Sequence, residues 1–248
     1  MAAGRPAGLR LATGKGLIRS VVLLAAAAVS AGCAGLTSWD GGGGSRTAVP
    51  ASGIHVVQPG QNLHKIAWRY GLDWRDLAAW NRLRDPSRIY PGQEIRLTPP
   101  GAPAASAARR GGAAAARPER PAVPPPSDWL WPAEGPLLWK FGESRRNPTG
   151  IGIGGSEGAQ VRAVAPGEVV YSGGGLIGYG QLIILKHNDS YLSAYGHNRA
   201  LRVKEGEQVA AGQVIALMGR GPGDRPLLHF EIRRQGRPVD PLRYLPPR

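Results

Sequence analysis

A single cysteine in 248 residues, Cys33, excludes any intrachain disulfide. Long hydrophobic runs are missing as well: the apolar stretch Val21 to Val29 falls well short of the ~20 residues that cross a bilayer as a permanent helix. Acidic residues are scarce, with 17 Asp plus Glu against 31 Lys plus Arg and a net charge of +14. The basic residues are scattered and no nucleic-acid motif accompanies them, so nucleic acid is not an expected partner. The charge suits a carboxylate-bearing or acidic partner, although long-range attraction alone confers no specificity.

What is abundant is turn and linker chemistry. With 37 Gly, 23 Pro and 42% hydrophobic residues, the composition points to compact units separated by flexible stretches. Arg5, Arg10, Lys15 and Arg19 precede the short apolar run, and Ser30-Ala31-Gly32-Cys33 follows it. That order is an export signal with small residues at a cleavage point. The position of Cys33 resembles a bacterial lipobox, so residues 1–33 are expected to be a lipoprotein signal region with Cys33 as the lipidated residue. Ser30 departs from the usual Leu of that motif. Ala34 after the cysteine resembles the sorting rule for the outer membrane, and the expectation is a lipid-anchored protein on that membrane facing the periplasm.

Residues 34–53, with four consecutive glycines, read as a tether, because glycine backbones lose too much entropy to order unaided. Residues 54–98 form a first unit, residues 99–127 a linker rich in Pro and Ala, and residues 128–248 a second unit. At ~3 Å per residue when extended, the linker can separate the two units by tens of ångströms.

In the first unit Ile54-His55-Val56-Val57 alternates like a strand, and Pro59-Gly60 turns the chain before Asn62, a helix N-cap. Leu63, Ile66, Ala67 and Tyr70 make one apolar helical face, and Gly71 is placed to end the helix. Asp73 caps a second helix carrying Leu77, Ala78 and Trp80. Pro91-Gly92 leads into a strand at Glu94-Ile95-Arg96-Leu97. This strand-helix-helix-strand unit resembles a LysM domain through Val57 to Leu63, Ile66-Ala67, Tyr70-Gly71, Leu77, Asn81 and Ile89 to Ile95. The resemblance implies a small α+β fold that binds N-acetylglucosamine-containing glycans. Carried over, the groove falls on Gly60, Gln61, Asn62, Leu63, Ile89, Tyr90, Pro91 and Gly92, with Gln61-Asn62 standing in place of the more usual Asp-Thr.

The second unit shows short apolar segments between Gly-rich turns: Leu137 to Phe141, Val161 to Val164, Glu168 to Tyr171, Leu182 to Leu185, Tyr191 to Tyr195, Val214 to Leu217 and His229 to Arg233. Such spacing argues for an all-β sandwich or barrel. Ala165 to Val170, Gly178-Tyr179-Gly180, Tyr195-Gly196-His197, Leu227 to Ile232 and Gly236 to Pro241 make it similar to the lysostaphin-type (LytM) endopeptidases. Active members of that family hold zinc through a His, an Asp four residues on, and the second His of a His-x-His pair. Here the first two positions are Pro148 and Gly152, and Leu227 replaces the first His of the pair, leaving His229 as the retained ligand position and His197 as the retained catalytic position. The expectation is therefore no catalytic residue, no metal and no cofactor. A substitute site built from His187, His197 and His229 is the alternative that would keep a metal.

The order of signal, LysM, Pro/Ala linker and degenerate LytM unit resembles the NlpD-type murein hydrolase activators. That resemblance implies peptidoglycan and an N-acetylmuramoyl-L-alanine amidase as partners, with splitting of septal wall as the outcome. Tyr179, Tyr195, His197, Arg220, Arg225, His229 and Glu231 are expected to line the amidase-binding groove, the two arginines from an exposed loop between Gly219 and Pro226. A zinc endopeptidase and a purely structural wall-binding lipoprotein are the competing readings.

Overall fold

Asn62 and Gly71 set the limits of the first helix as the sequence predicts. In the computed structural model, which describes residues 47–101 and 123–248 except 87 and 145–147, β1 (Ile54–Val56) is followed by α1 (Leu63–Tyr70), α2 (Trp74–Trp80) and β2 (Glu94–Arg96). The Asn62 side chain accepts the Lys65 N–H, and Gly71 closes α1 in the left-handed conformation at φ 64°, which a residue without Cβ adopts at no steric cost. Asp73 caps α2 through the Arg75 N–H. β1 and β2 pair antiparallel over a core of Val57, Leu63, Ile66, Ala67, Leu77, Ile95 and Leu97. The signal region with Cys33, the tether up to residue 46 and linker residues 102–122 lie outside the described residues.

The second unit is all β apart from a short 3-10 turn at Pro241–Arg243. Its strands are β3 (Leu137–Trp139), β4 (Ile151–Gly154), β5 (Gln160–Arg162), β6 (Gly167–Gly173), β7 (Gln181–Lys186), β8 (Tyr191–Leu201), β9 (Gln208–Val209), β10 (Val214–Arg220), β11 (Pro226–Arg234) and β12 (Arg237–Val239). The sheet runs β3-β4-β11-β10-β8-β7-β6-β9, with β11 also pairing β8 directly. Ile153, Val161, Val169, Ile183, Tyr195, Ile215, Leu228 and Phe230 fill its core.

Three strands escape the sequence pattern: β4, β9 and β12. β4 reads Ile-Gly-Ile-Gly and is buried along its whole length; glycine is depleted in strands, so the segment carries little strand signal. The segment from Gly219 to Pro226 also differs from expectation. It is not a free loop, because Gly219 and Arg220 pair with Leu227 and Pro226 in a tight β10–β11 connection. Arg220 is tied to Glu157 at 2.8 Å and to Asp224 at 3.1 Å.

The reach of the linker is not used to hold the units apart. Trp68, on the side of α1 away from its own core, joins Val170, Tyr171, Leu176, Tyr179, Leu182, Ile184 and Ala194 in one buried apolar cluster. Asn62 donates to the Val170 carbonyl at 2.7 Å and to Glu205 at 3.3 Å. The Lys65 ammonium lies over the Tyr171 ring and the Lys186 ammonium over Trp74. At the β11–β12 turn the approach is so close that a Cβ on Gly236, which sits at φ +75°, would come within 2.5 Å of the Leu72 backbone.

Candidate functional site

β11 runs between β4 and β8, and this alone places the motif positions side by side. His229 pairs with Gly152 on one flank and with Gly196 on the other. Leu227 pairs with Gly154 and with Gly219. The next residue along β8 after Gly196 is His197, whose ring centre lies 6.2 Å from that of His229. His197 takes φ 62°, a left-handed conformation uncommon outside glycine, of the kind held where surrounding structure over-determines it. Its N–H bonds the Tyr179 carbonyl at 2.7 Å.

Gly152 has a partner that its sequence context does not announce. Trp139 of β3 pairs with it, and the indole lies where a side chain at 152 would start: an added Cβ would stand 2.4 Å from a ring carbon. A side chain of any size at 152 therefore requires Trp139 to move. Gly152→Ala is expected to cost about 2 kcal/mol by overpacking, and that cost should largely vanish in a Trp139→Leu background. Urea unfolding of the four proteins of this double-mutant cycle gives the coupling; additive losses would place the indole elsewhere.

Beneath this row is a buried charged cluster. Glu231, fully buried, accepts from Thr149 Oγ1 and from Tyr179 Oη at 2.8 Å. It also meets His229 Nε2 at 2.9 Å and accepts from Arg233 Nε at 3.1 Å. A carboxylate only accepts, so His229 must present its Nε2 as an N–H. Burial pushes the Glu231 pKa up, but Arg233, the His229 contact and the Thr149 hydroxyl outweigh it and hold the group at about 2. Loss of solvent first, and the same carboxylate second, push the Tyr179 phenol well above its usual range. His197 is lowered to about 4, by burial first and by His229 second.

Several of the expected groove residues do not face solvent. Tyr195 is wholly in the core, its phenol bonded by the Val164 N–H at 3.0 Å and by Ser193 at 2.9 Å. Tyr179, His197, His229 and Glu231 are buried too, because β11 and the middle of β8 are covered on both faces and not on alternate residues alone. Arg220 and Arg225 are exposed. The residue that composition passes over is Ile177, 80% exposed in the β6–β7 connection two positions before Tyr179. A large apolar side chain flanked by Gly174, Gly175 and Gly178 was the available signal.

His187 does not join His197 and His229. Its ring is held by the Pro166 carbonyl and by Ser193 Oγ, each at 2.7 Å, and burial lowers its pKa to about 4. Among the described residues no three His, Cys, Asp or Glu side chains converge as metal ligands. Buried nitrogens without a hydrogen-bond partner among the described residues include His197 Nε2, His229 Nδ1 and Trp139 Nε1, all three on side chains of this row.

In the first unit Leu63, expected in the glycan groove, belongs to the core and is fully buried, so its side chain supports that loop from within and is not part of its surface. Gln61 Oε1 accepts from the Gln58 N–H at 3.0 Å and lies 2.7 Å from His55 Nε2. Tyr90, Pro91 and Gly92 are exposed, with Tyr90 at 66%, and Ile89 is partly covered. Asn62 is occupied by its cap and by the second unit.

Two family models match the chain: LysM domain over residues 55–98 and Peptidase family M23 over residues 146–241. The "Lipoprotein NlpD/LppB homolog" of Pseudomonas aeruginosa is 41% identical over 79% of this chain and 78% of its own length. "Murein hydrolase activator NlpD" of Escherichia coli is 53% identical over 50% of this chain, a match that takes in 33% of that protein. "Outer membrane antigenic lipoprotein B" of Haemophilus influenzae is 49% identical over 48% of this chain and 29% of its own length.

Proposed function

The chain belongs to the NlpD/LppB lipoprotein family, and from that premise we propose that it activates a periplasmic N-acetylmuramoyl-L-alanine amidase without hydrolysing the wall itself. The observation that carries the non-catalytic half is the indole of Trp139 seated on Gly152. Hydrolytic zinc needs three protein ligands and one open position. Pro148, Gly152 and Leu227 carry no donor atom, and Trp139 fills the space into which an aspartate at 152 would project. The residues do not fit the metal, and no hydrolytic step is assigned to them.

The activating half rests on the family. The Escherichia coli relative is named a murein hydrolase activator, and a LysM unit at residues 55–98 gives the chain a hold on peptidoglycan through Tyr90, Pro91 and Gly92. Relatives named as lipoproteins, one of them of the outer membrane, support anchoring through Cys33 at the periplasmic face of that membrane. We assign to the amidase a rim of the LytM unit that includes the exposed Ile177, Arg220 and Arg225; bulky apolar and arginine side chains suit protein contact. To stimulate, this rim needs only to bind the open amidase better than the closed one.

Dye release from labelled sacculi tests this. The purified chain alone is expected to release nothing, with or without added zinc, and to raise release by its cognate amidase at least tenfold. Ile177→Asp should abolish the stimulation with unfolding unchanged. Release by the chain alone, abolished by a chelator, would establish the peptidase reading instead.

A further inference from the structure

The first unit presents its glycan loops with one rim open and the other engaged. Tyr90, Pro91 and Gly92 are exposed on one side. On the other, Asn62 is a glycan-loop side chain whose amide could donate to a sugar hydroxyl or acetamido oxygen, and it has two N–H groups. Both are directed at the second unit, to the Val170 carbonyl at 2.7 Å and to Glu205 Oε2 at 3.3 Å. Its carbonyl oxygen is taken by the Lys65 N–H at 2.8 Å. A glycan that uses this donor must displace β6 from it.

The same face of α1 seals the charged cluster. The Arg233 guanidinium carbon stacks 3.4 Å from the centre of the Trp68 ring, and Arg233 Nη1 donates to the Trp68 carbonyl at 3.0 Å. Arg233 in turn donates to Glu231, which holds His229 and Tyr179. Trp68 packs edge-on against Tyr179. Trp68 is 2% exposed although it lies off the core face of its own small domain, so docking alone covers it.

We infer that wall glycan and the LytM unit compete for the α1 face of the LysM unit, so that glycan binding undocks α1 from β6 and uncovers Trp68, Tyr179 and Arg233. The inference rests on the reading that the LysM unit takes up N-acetylglucosamine-containing glycan. The closed form hides apolar and charged groups next to the rim assigned to the amidase. The open form presents them once the chain is seated on wall. A population shift of this kind needs only that glycan bind the undocked form better, and any change that weakens docking must raise glycan affinity until the undocked form is fully populated.

The test uses the full chain with an N-acetylglucosamine tetramer as probe and involves no amidase, so its outcome is independent of the activation reading. Trp68→Ala removes the docking side chain and leaves the LysM core intact. Titration calorimetry is expected to give a tetramer Kd about tenfold lower for Trp68→Ala than for the unchanged chain. Hydrogen exchange on the unchanged chain should quicken in β6 and α1 when tetramer is added. Equal affinities in the two folded proteins, or no binding by either, would overturn the inference, as would tetramer binding that leaves β6 and α1 protection untouched. Gly236→Ala, which wedges the Leu72 backbone away from the β11–β12 turn, supplies a second route to the open form and should shift Kd in the same direction.

Discussion

Glu231→Ala is expected to lower the unfolding free energy by about 3–5 kcal/mol, the loss seen when one partner of a buried ion pair is removed. The size follows from what remains behind. Arg233, 2% exposed, would keep its charge with no counter-ion, and Thr149, Tyr179 and His229 would each lose a buried acceptor. Glu231→Gln keeps an acceptor for these donors but not the charge, and should fall between the alanine variant and the unchanged protein. Urea unfolding at pH 7.5 measures both. A loss under 1 kcal/mol for the alanine variant would mean that water reaches the cluster freely.

Acid is expected to act well before that carboxylate titrates. His64, His187 and His197 all have pKa values lowered from 6.5 to about 4, in each case chiefly by burial. A histidine held neutral in the fold is protonated first in the unfolded chain. Its contribution is complete above pH 6.5 and is lost as pH falls from 6.5 towards 4. Each lost unit is worth about 1.4 kcal/mol per group, so three groups together should steepen the fall to roughly 4 kcal/mol per pH unit in this window. Glu231 carries the same sign at lower pH: its depressed pKa stabilises above 4.5 and that stabilisation disappears as pH falls towards 2. Unfolding free energies at pH 7.5, 6.0 and 5.0 check the prediction, and a flat profile down to pH 5.0 would refute it. His187→Gln, which retains polar contacts to Pro166 and Ser193, should reduce the slope by about one third.

The residues that were legible in the sequence are those whose signal is local. Asn62, Gly71 and Asp73 set helix ends because capping is decided within four residues. Leu182 to Leu185 and Val214 to Leu217 declare strands through consecutive apolar side chains. β4 was not legible, since Ile-Gly-Ile-Gly earns its place only from β3 and β11 on either side. Trp68 was not legible either: nothing in α1 distinguishes a tryptophan that meets another unit from one that meets water. The burial of Tyr179, Tyr195, His229 and Glu231 followed the same rule, because a motif gives residue types and spacing but not which side of a sheet its neighbours close off.

By itself, the sequence determined the two kinds of unit, their order, and the side chains at positions 148, 152 and 227 that carry no metal donor, because composition, periodicity and side-chain chemistry are properties of the chain. The tertiary structure alone decided that Trp139 fills the space over Gly152, that Thr149 and Tyr179 close on Glu231, and that α1 docks through Trp68 and Asn62. These depend on atoms brought together across 13 to 165 positions of chain, where packing density and the need to pair every buried charge choose among arrangements that local pattern leaves equivalent.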